Sequence, residues 1–230
     1  MEKQAFRLLH AMEDSWWYRG RSAVVRSVLA REVPSSSKVL DFGAGFGGMY
    51  NELAVRGDVF GFEPDPVAQK IARGKDYRMM YDSEHAALRN SYDLIGLFDV
   101  LEHIEDDNAF LTRAKKALRE NGKLAITVPA NPYLWSVHDV SHHRFRRYTK
   151  KSLQKVLQNN GYTIEYISYW NAVLFLPALL TRLLGSSGEG AFALPKTVDG
   201  VLYSIVRLEA ALMKAIPMPF GVSLVALARI

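Results

Sequence analysis

The sequence predicts an α/β protein on a largely parallel sheet, and three observations predict it. Short apolar runs, Lys38 to Leu40, Asp58 to Phe62, Tyr77 to Tyr81, Tyr92 to Phe98 and Lys123 to Val128, recur with helical segments among them, the alternation that gives a parallel sheet. The first run ends in Asp41-Phe42-Gly43-Ala44-Gly45-Phe46-Gly47-Gly48, where closely spaced glycines let the backbone turn sharply and approach a ligand. Two late runs, Tyr162 to Tyr169 and Ser223 to Ala228, read as further strands. The roughly fifty residues between them are too many for a structureless connection and predict helices of their own.

The remaining elements follow in order. Helical stretches are expected at Phe6 to Met12 and Arg21 to Arg31, then a loop at Pro34 to Ser37. A helix should open after Gly47-Gly48 and another run from Asp65 to Arg73. Asp106 or Asp107 can cap a helix from Asp107 to Glu120, with Phe110, Leu111, Ala114 and Leu118 on one face and Asn121-Gly122 ending it. Thr149 can cap Lys150 to Asn160, which Gly161 stops. Within 171–220, Ala172 to Leu184 and the series Val201, Leu202, Ile205, Leu208, Leu212, Ile216 read as two amphipathic helices around a mobile Gly185 to Gly190 loop. Packing as ordinary core, covering a lipid-linked acceptor, and a membrane-surface or homodimer contact are the roles open to them.

The 230 residues, 49% apolar, suit a single domain over 1–230. With no cysteine there is no disulfide, thiolate metal site or thiol nucleophile, and a cytoplasmic location is expected. Met1 to His10 lacks the apolar core of a secretory signal, and Ala172 to Leu180 falls far short of the roughly 20 residues a transmembrane helix needs. A net charge of +5 admits anionic partners without singling out nucleic acid.

Glycines alone fit a structural turn or a dinucleotide loop, so the carboxylates decide. Glu63 closes the second strand, where an acid can accept both hydroxyls of a ribose. Asp41 stands just before the glycines. A pyrophosphate gains little from a carboxylate there, whereas a cationic amino-acid moiety with a sulfonium can be oriented by it. The pattern describes a nucleoside that carries positive charge.

These residues resemble the class I, Rossmann-like S-adenosylmethionine (SAM)-dependent methyltransferases. Their first motif, an acid followed by alternating glycines, is matched by Asp41, Gly43, Gly45 and Gly47, with Ala44 between them. The resemblance implies a seven-stranded, mostly parallel sheet with an antiparallel last strand. It gives Glu63, beside Pro64, the ribose, Asp82 the adenine amino group, and Asp99 and Val100 of Asp99-Val100-Leu101-Glu102-His103-Ile104 a place in the donor pocket. His138-Asp139 followed by Arg146-Arg147-Tyr148-Thr149 resembles the type 11/12-like subgroup. Trp16-Trp17-Tyr18-Arg19-Gly20-Arg21 is similar to that subgroup's N-terminal aromatic motif, which implies that 1–33 forms a helical lid bringing Trp17 and Arg21 to the donor.

The implied reaction moves a methyl group from SAM to an oxygen or nitrogen of a small-molecule acceptor, lipid- or sugar-phosphate-linked among the choices. Alignment in a dry site supplies most of the rate, and a base is needed only where the acceptor must lose a proton. His103 and His138 are the candidate bases, since both follow strand ends and imidazole titrates near neutrality. His138, Asp139, His142 and His143 lack any metal-ligand spacing, so no metal is expected. Arg144, Arg146, Arg147, Lys150, Lys151 and Lys155 suit either a phosphate on the acceptor or a solvated helix face. The N-terminal aromatics fit a lid better than a nucleic-acid platform. A SAM-binding regulator without turnover, an RNA methyltransferase and a nicotinamide-dependent oxidoreductase are the rival readings, the last disfavoured by Asp41.

Overall fold

The computed structural model describes residues 14–72, 78–80, 91–183 and 194–230. The expected helix Phe6 to Met12, Asp82 and the Gly185 to Gly190 loop lie outside them. Helix α1 spans Trp16–Glu32, followed by β1 (Ser37–Phe42), α2 (Tyr50–Ala54), β2 (Gly57–Phe62), α3 (Pro66–Ala72), β3 (Arg78–Met80) and β4 (Tyr92–Phe98). Then come α4 (Asp107–Ala117), β5 (Leu118–Pro129), α5 (Val137–Ser141), α6 (Lys150–Asn159), β6 (Thr163–Trp170), α7 (Phe175–Leu183), α8 (Lys196–Leu212) and β7 (Ser223–Arg229).

The sheet has seven strands in the order β3-β2-β1-β4-β5-β7-β6. β1 to β5 are mutually parallel, while β7 runs antiparallel to both β5 and β6, as the resemblance implies. The order reverses between β1 and β4, so the carboxyl ends of β1, β2, β4 and β5 line one edge with a crevice at the switch point.

Alternating strand residues feed two cores. Val39, Leu94, Val225 and Leu227 meet Val24, Val25, Val28 and Leu29 of α1, while Leu40, Ile95, Leu124 and Ile126 meet Phe110 and Leu111 of α4 and Leu153 and Leu157 of α6. Burial on both faces is why the central strands read as continuous apolar runs. The expected caps form: Asp106 accepts from the Ala109 N–H, and Thr149 and Ser152 bond reciprocally at the start of α6.

Three expectations change. The helix expected to reach Glu120 stops at Ala117, because Leu118 turns extended (φ −71°, ψ 144°) and pairs with Tyr92. Residues 119–122 bulge before Lys123 rejoins opposite Leu94, and Asn121 takes a positive φ of 60° in that bulge. Secondly, α1 starts at Trp16 rather than Arg21, so the aromatic motif is itself helical. Thirdly, α8 buries Val206, Ala210 and Met213, whereas Val201, Ile205, Leu208, Leu212 and Ile216 of the predicted series are exposed.

Candidate functional site

β1 carries its buried Asp41 in register with Gly61 of β2 and Gly96 of β4, neighbours without side chains. The chain then leaves the sheet with the N–H groups of Gly43 and Ala44 both bonded to the Phe62 carbonyl, at 2.8 and 2.9 Å. Gly43 has φ 76°, and a Cβ there would lie 2.6 Å from Val100 Cγ2, so only glycine fits between β1 and the loop after β4. Gly45 has φ 54° and open space where its Cβ would stand, so its backbone is accessible to a ligand.

Glu63 is buried and stitches the loops of β1 and β2 together. One carboxylate oxygen accepts the Gly45 N–H and the other the Asp65 N–H, each at 2.9 Å. Each oxygen keeps a second lone pair for another donor. Burial raises its pKa above the usual carboxylate value, against the lowering effect of those two bonds. Asp65 in turn caps α3 through the Val67 and Ala68 N–H groups.

Opposite this loop, Asp99 adopts φ 58° just past β4 and accepts Thr127 Oγ1–H at 3.1 Å and Arg21 Nη1–H at 2.6 Å. Arg21 comes from α1, so a side chain of the N-terminal helix is anchored at the switch point. Burial opposes its charge, but Asp99, Tyr18 and Asp41 outweigh that and raise its pKa. Trp17 is half-buried, its ring 5.0 Å from that of Trp170 at the end of β6. α1 is fixed to α8 by the Arg19–Asp199 ion pair and by Ser27, which donates to the Ala210 carbonyl.

Beyond β4 and β5 lies a second cluster, made of charge. Asp139, wholly buried on α5, accepts from Arg144 at 3.0 Å, from Arg147 at 2.9 and 3.0 Å, and from the Ser136 backbone at 2.9 Å. Its pKa is lowered because these bonds and charges outweigh burial. Arg146 pairs with Asp107 at 2.9 Å. The expectation that these arginines stand free for a phosphate or in solvent is corrected: all three are committed to carboxylates of the fold.

Glu102 is completely buried in the turn after β4, and neither carboxylate oxygen has a hydrogen-bond partner. Arg144 Nε lies 3.7 Å away and His103 Nε2 3.9 Å. Burial and the nearby Asp99 push Glu102 up to about 8. His103, a third exposed and bonded to the His143 backbone, is lowered chiefly by burial and by Arg144. His138 is lowered further, to about 4, by burial and by His142, whose ring centre is 4.0 Å away.

Ten buried side-chain nitrogen and oxygen atoms among the described residues have no hydrogen-bond partner. Nine belong to Ser15, Arg19 and Arg21 at α1, or to Glu102, Arg144, Trp170 and Asn171 in segments leaving β4, β5 and β6. Unsatisfied buried polar groups are costly, and these nine atoms lie at the start of α1 and in the segments at and after the ends of β4, β5 and β6.

The structure thus brings Asp41, Gly43, Ala44, Gly45, Gly47, Glu63, Asp99, Val100 and Arg21 to one edge. Pro64 is exposed behind Glu63, and Trp17 sits against Trp170. Among the described residues no group of three or more His, Cys, Asp or Glu side chains is placed to hold a metal. Sequence reasoning gave no role to Glu102 or Thr127, and it weighed Asp139 only as part of the subgroup motif and against a metal site. A carboxylate flanked by arginines eight residues downstream, as Asp139 and Arg147 are, is the one signal that could have shown the buried pairing.

The profile of the methyltransferase domain family matches residues 17–167, about two-thirds of the chain. The chain belongs to that family. Among curated relatives of this methyltransferase-family protein is the ubiquinone biosynthesis O-methyltransferase of Xanthomonas axonopodis pv. citri, 27% identical over 165 residues, which cover 61% of this chain and 69% of the relative. Its fold is shared with a SAM-dependent methyltransferase from Archaeoglobus fulgidus (TM-score 0.58, 14% identity, 91% of this chain and 94% of that one). It is also shared with Haemonchus contortus phosphoethanolamine N-methyltransferase 2, solved with SAM (TM-score 0.54, 19% identity, 86% and 50%).

Proposed function

We propose that the protein catalyses transfer of a methyl group from SAM to an oxygen or nitrogen of a small-molecule acceptor, a lipid- or sugar-linked one included. The observation that carries the reading is the open approach to the Gly45 backbone between the buried carboxylates of Asp41 and Glu63. The donor set fits the ligand. Glu63 has lone pairs left for the two ribose hydroxyls, and Asp41 supplies negative charge where an α-amino group and a sulfonium need it. A pyrophosphate would meet these carboxylates instead and be repelled. Bound there, SAM supplies an electrophilic methyl whose transfer leaves a neutral thioether.

The residues of the chain do the rest. Arg21, held by Asp99, joins α1 to the donor pocket, so α1 acts as a lid that excludes water, held down further along the sheet edge by Trp17 against Trp170. Asp82 is assigned to the adenine amino group. His103, a third exposed and neutral at pH 7, is the better placed of the two candidate bases to take the proton that a hydroxyl or amine acceptor loses. His138 is a weaker base, because its pKa of about 4 leaves it little drive to hold a proton. Commitment of Arg144, Arg146 and Arg147 to internal carboxylates argues against an RNA acceptor, which needs such cations facing outward.

Incubating the purified protein with methyl-labelled SAM and a metabolite extract tests the reading. It requires label in one acceptor class and stoichiometric S-adenosylhomocysteine. Tight SAM binding with no product from any extract would leave a non-catalytic SAM-binding protein instead.

A further inference from the structure

We propose that the outward face of α7 and α8 is a docking surface for an anionic lipid bilayer. Exposed large apolar side chains are not scattered over this protein. Of the sixteen among the described residues, ten fall between Leu176 and Phe220, and five more (Tyr133, Trp135, Val137, Val140 and Phe145) lie on the segment leaving β5. α7 packs against the turn Pro132–Leu134 of that segment, which joins the two sets. Val201, Ile205, Leu208, Leu212 and Ile216 recur every three or four residues, so they form one stripe along α8, and their exposures run from 39% to 68%. Contiguous exposed apolar surface of this kind marks an interaction site.

Charge selects the occupant. Both acids of α8 are turned inward: Asp199 holds the Trp16 N–H at 2.7 Å and the Arg19 guanidinium, and the buried Glu209 accepts the Ala172 N–H at 3.2 Å. Its cations Lys196 and Arg207, with Lys214 just past its end, are exposed. The single charge of α7 is Arg182. The one acid between the two helices, Glu189, lies outside the described residues. A second copy of the chain would set these cations against their own kind. A bilayer with anionic headgroups instead receives the leucines and isoleucines between its acyl chains and the lysines and arginine among its phosphates. No helix among the described residues is long and apolar enough to cross a membrane, so the contact is with the surface.

α8 also carries α1 through Asp199, Val206 and Ala210, and α1 carries Arg21. The docked face is therefore rigidly linked to the proposed donor pocket. If the methyl-transfer reading holds, the acceptor is an amphiphile taken from the bilayer.

Co-sedimentation of the full chain with vesicles of phosphatidylcholine, with and without phosphatidylglycerol, tests the docking without reference to turnover. The protein should pellet with the phosphatidylglycerol vesicles, remain soluble with phosphatidylcholine alone, and be released by high salt. Leu208→Glu, and separately Lys196→Glu with Arg207→Glu, should each weaken partition on the order of tenfold or more while SAM binding and the melting temperature stay unchanged. Four results overturn the proposal: no pelleting of folded protein with anionic vesicles, equal pelleting with neutral ones, a Leu208→Glu variant that partitions like the parent, or a dimer dissolved by Leu208→Glu in a protein that ignores vesicles. Vesicle binding without SAM binding would leave the docking intact and remove the methyltransferase reading alone.

Discussion

The two halves of the sheet edge are made of different material. At β1 and β2 the site is backbone: glycines with positive φ, N–H groups bonded to Phe62, and one carboxylate, Glu63, spanning Gly45 and Asp65. At β4 and β5 it is side-chain charge: Arg21–Asp99, Asp139 between Arg144 and Arg147, and Glu102, whose buried carboxylate accepts no hydrogen bond. Backbone geometry of this kind suits a ligand that stays the same, whereas side chains can vary with the acceptor while the sheet is kept. The first half should therefore govern donor affinity, and the second should govern stability and its pH dependence.

The largest effect is expected in the second half. Asp139→Ala takes from the buried Arg147 the carboxylate it pairs with and leaves Arg144 with only Glu102, 3.7 Å away, and removing one partner of such a cluster costs about 3–5 kcal/mol. Denaturant titration should show that loss, and a loss under about 1 kcal/mol would mean the arginines find solvent or other partners. Next is Glu63→Ala, which removes the proposed ribose acceptor together with the Gly45 bond. SAM affinity should fall roughly 10- to 100-fold by calorimetry, the value of one or two charged hydrogen bonds, whereas Asp139→Asn, if it folds, should leave SAM affinity within a few-fold.

Glu102→Gln sharpens the comparison through pH. Because the folded pKa, about 8, stands above the ordinary 4.5, the folded state holds a proton that the unfolded state releases between those values. The contribution is whole below pH 4.5 and lost as pH rises through 8. Glutamine cannot ionise, so the variant should gain in melting temperature relative to the parent as pH rises from 5 to 8, by roughly 2–4 °C for each kcal/mol recovered. A constant offset across that range would show Glu102 ionised in the fold. The smallest effect is at His138, whose folded pKa, about 4, lies below the ordinary 6.5. Its contribution is present above pH 6.5 and lost as pH falls toward 4. His138→Asn should flatten that acid limb and leave the melting temperature at pH 8 nearly unchanged.

The backbone half was legible in the sequence because its signals are local. Asp41, Gly43 and Gly45 sit within five residues, and Glu63 closes the very next strand. The sheet was legible for a related reason: strands buried on both faces show as uninterrupted apolar runs. The charged half was not. Arg21 reaches Asp99 across seventy-eight positions and Tyr148 reaches Asp107 across forty-one, so the pairing exists only after folding. Arg146 read as a free cation because its partner, Asp107, is far off in the chain, and Arg144 and Arg147 did so because the short spacing to Asp139 does not show that all three side chains turn inward. The stripe on α8 was recognised as helical, but periodicity alone cannot say which of two apolar faces is covered. Val206 and Ala210 won that place because Gly20 of α1 lets the two helices approach closely.

Calorimetric titration of the folded protein with S-adenosylhomocysteine, SAM and a nicotinamide dinucleotide bears most directly on the hollow between Asp41, Gly45 and Glu63. Saturable heat is expected from the first two and none from the dinucleotide, with the SAM signal sharply reduced in Gly43→Val, where a side chain would collide with Val100. Saturation by the dinucleotide alone, or undiminished SAM binding by a folded Gly43→Val protein, would contradict the assignment of that hollow.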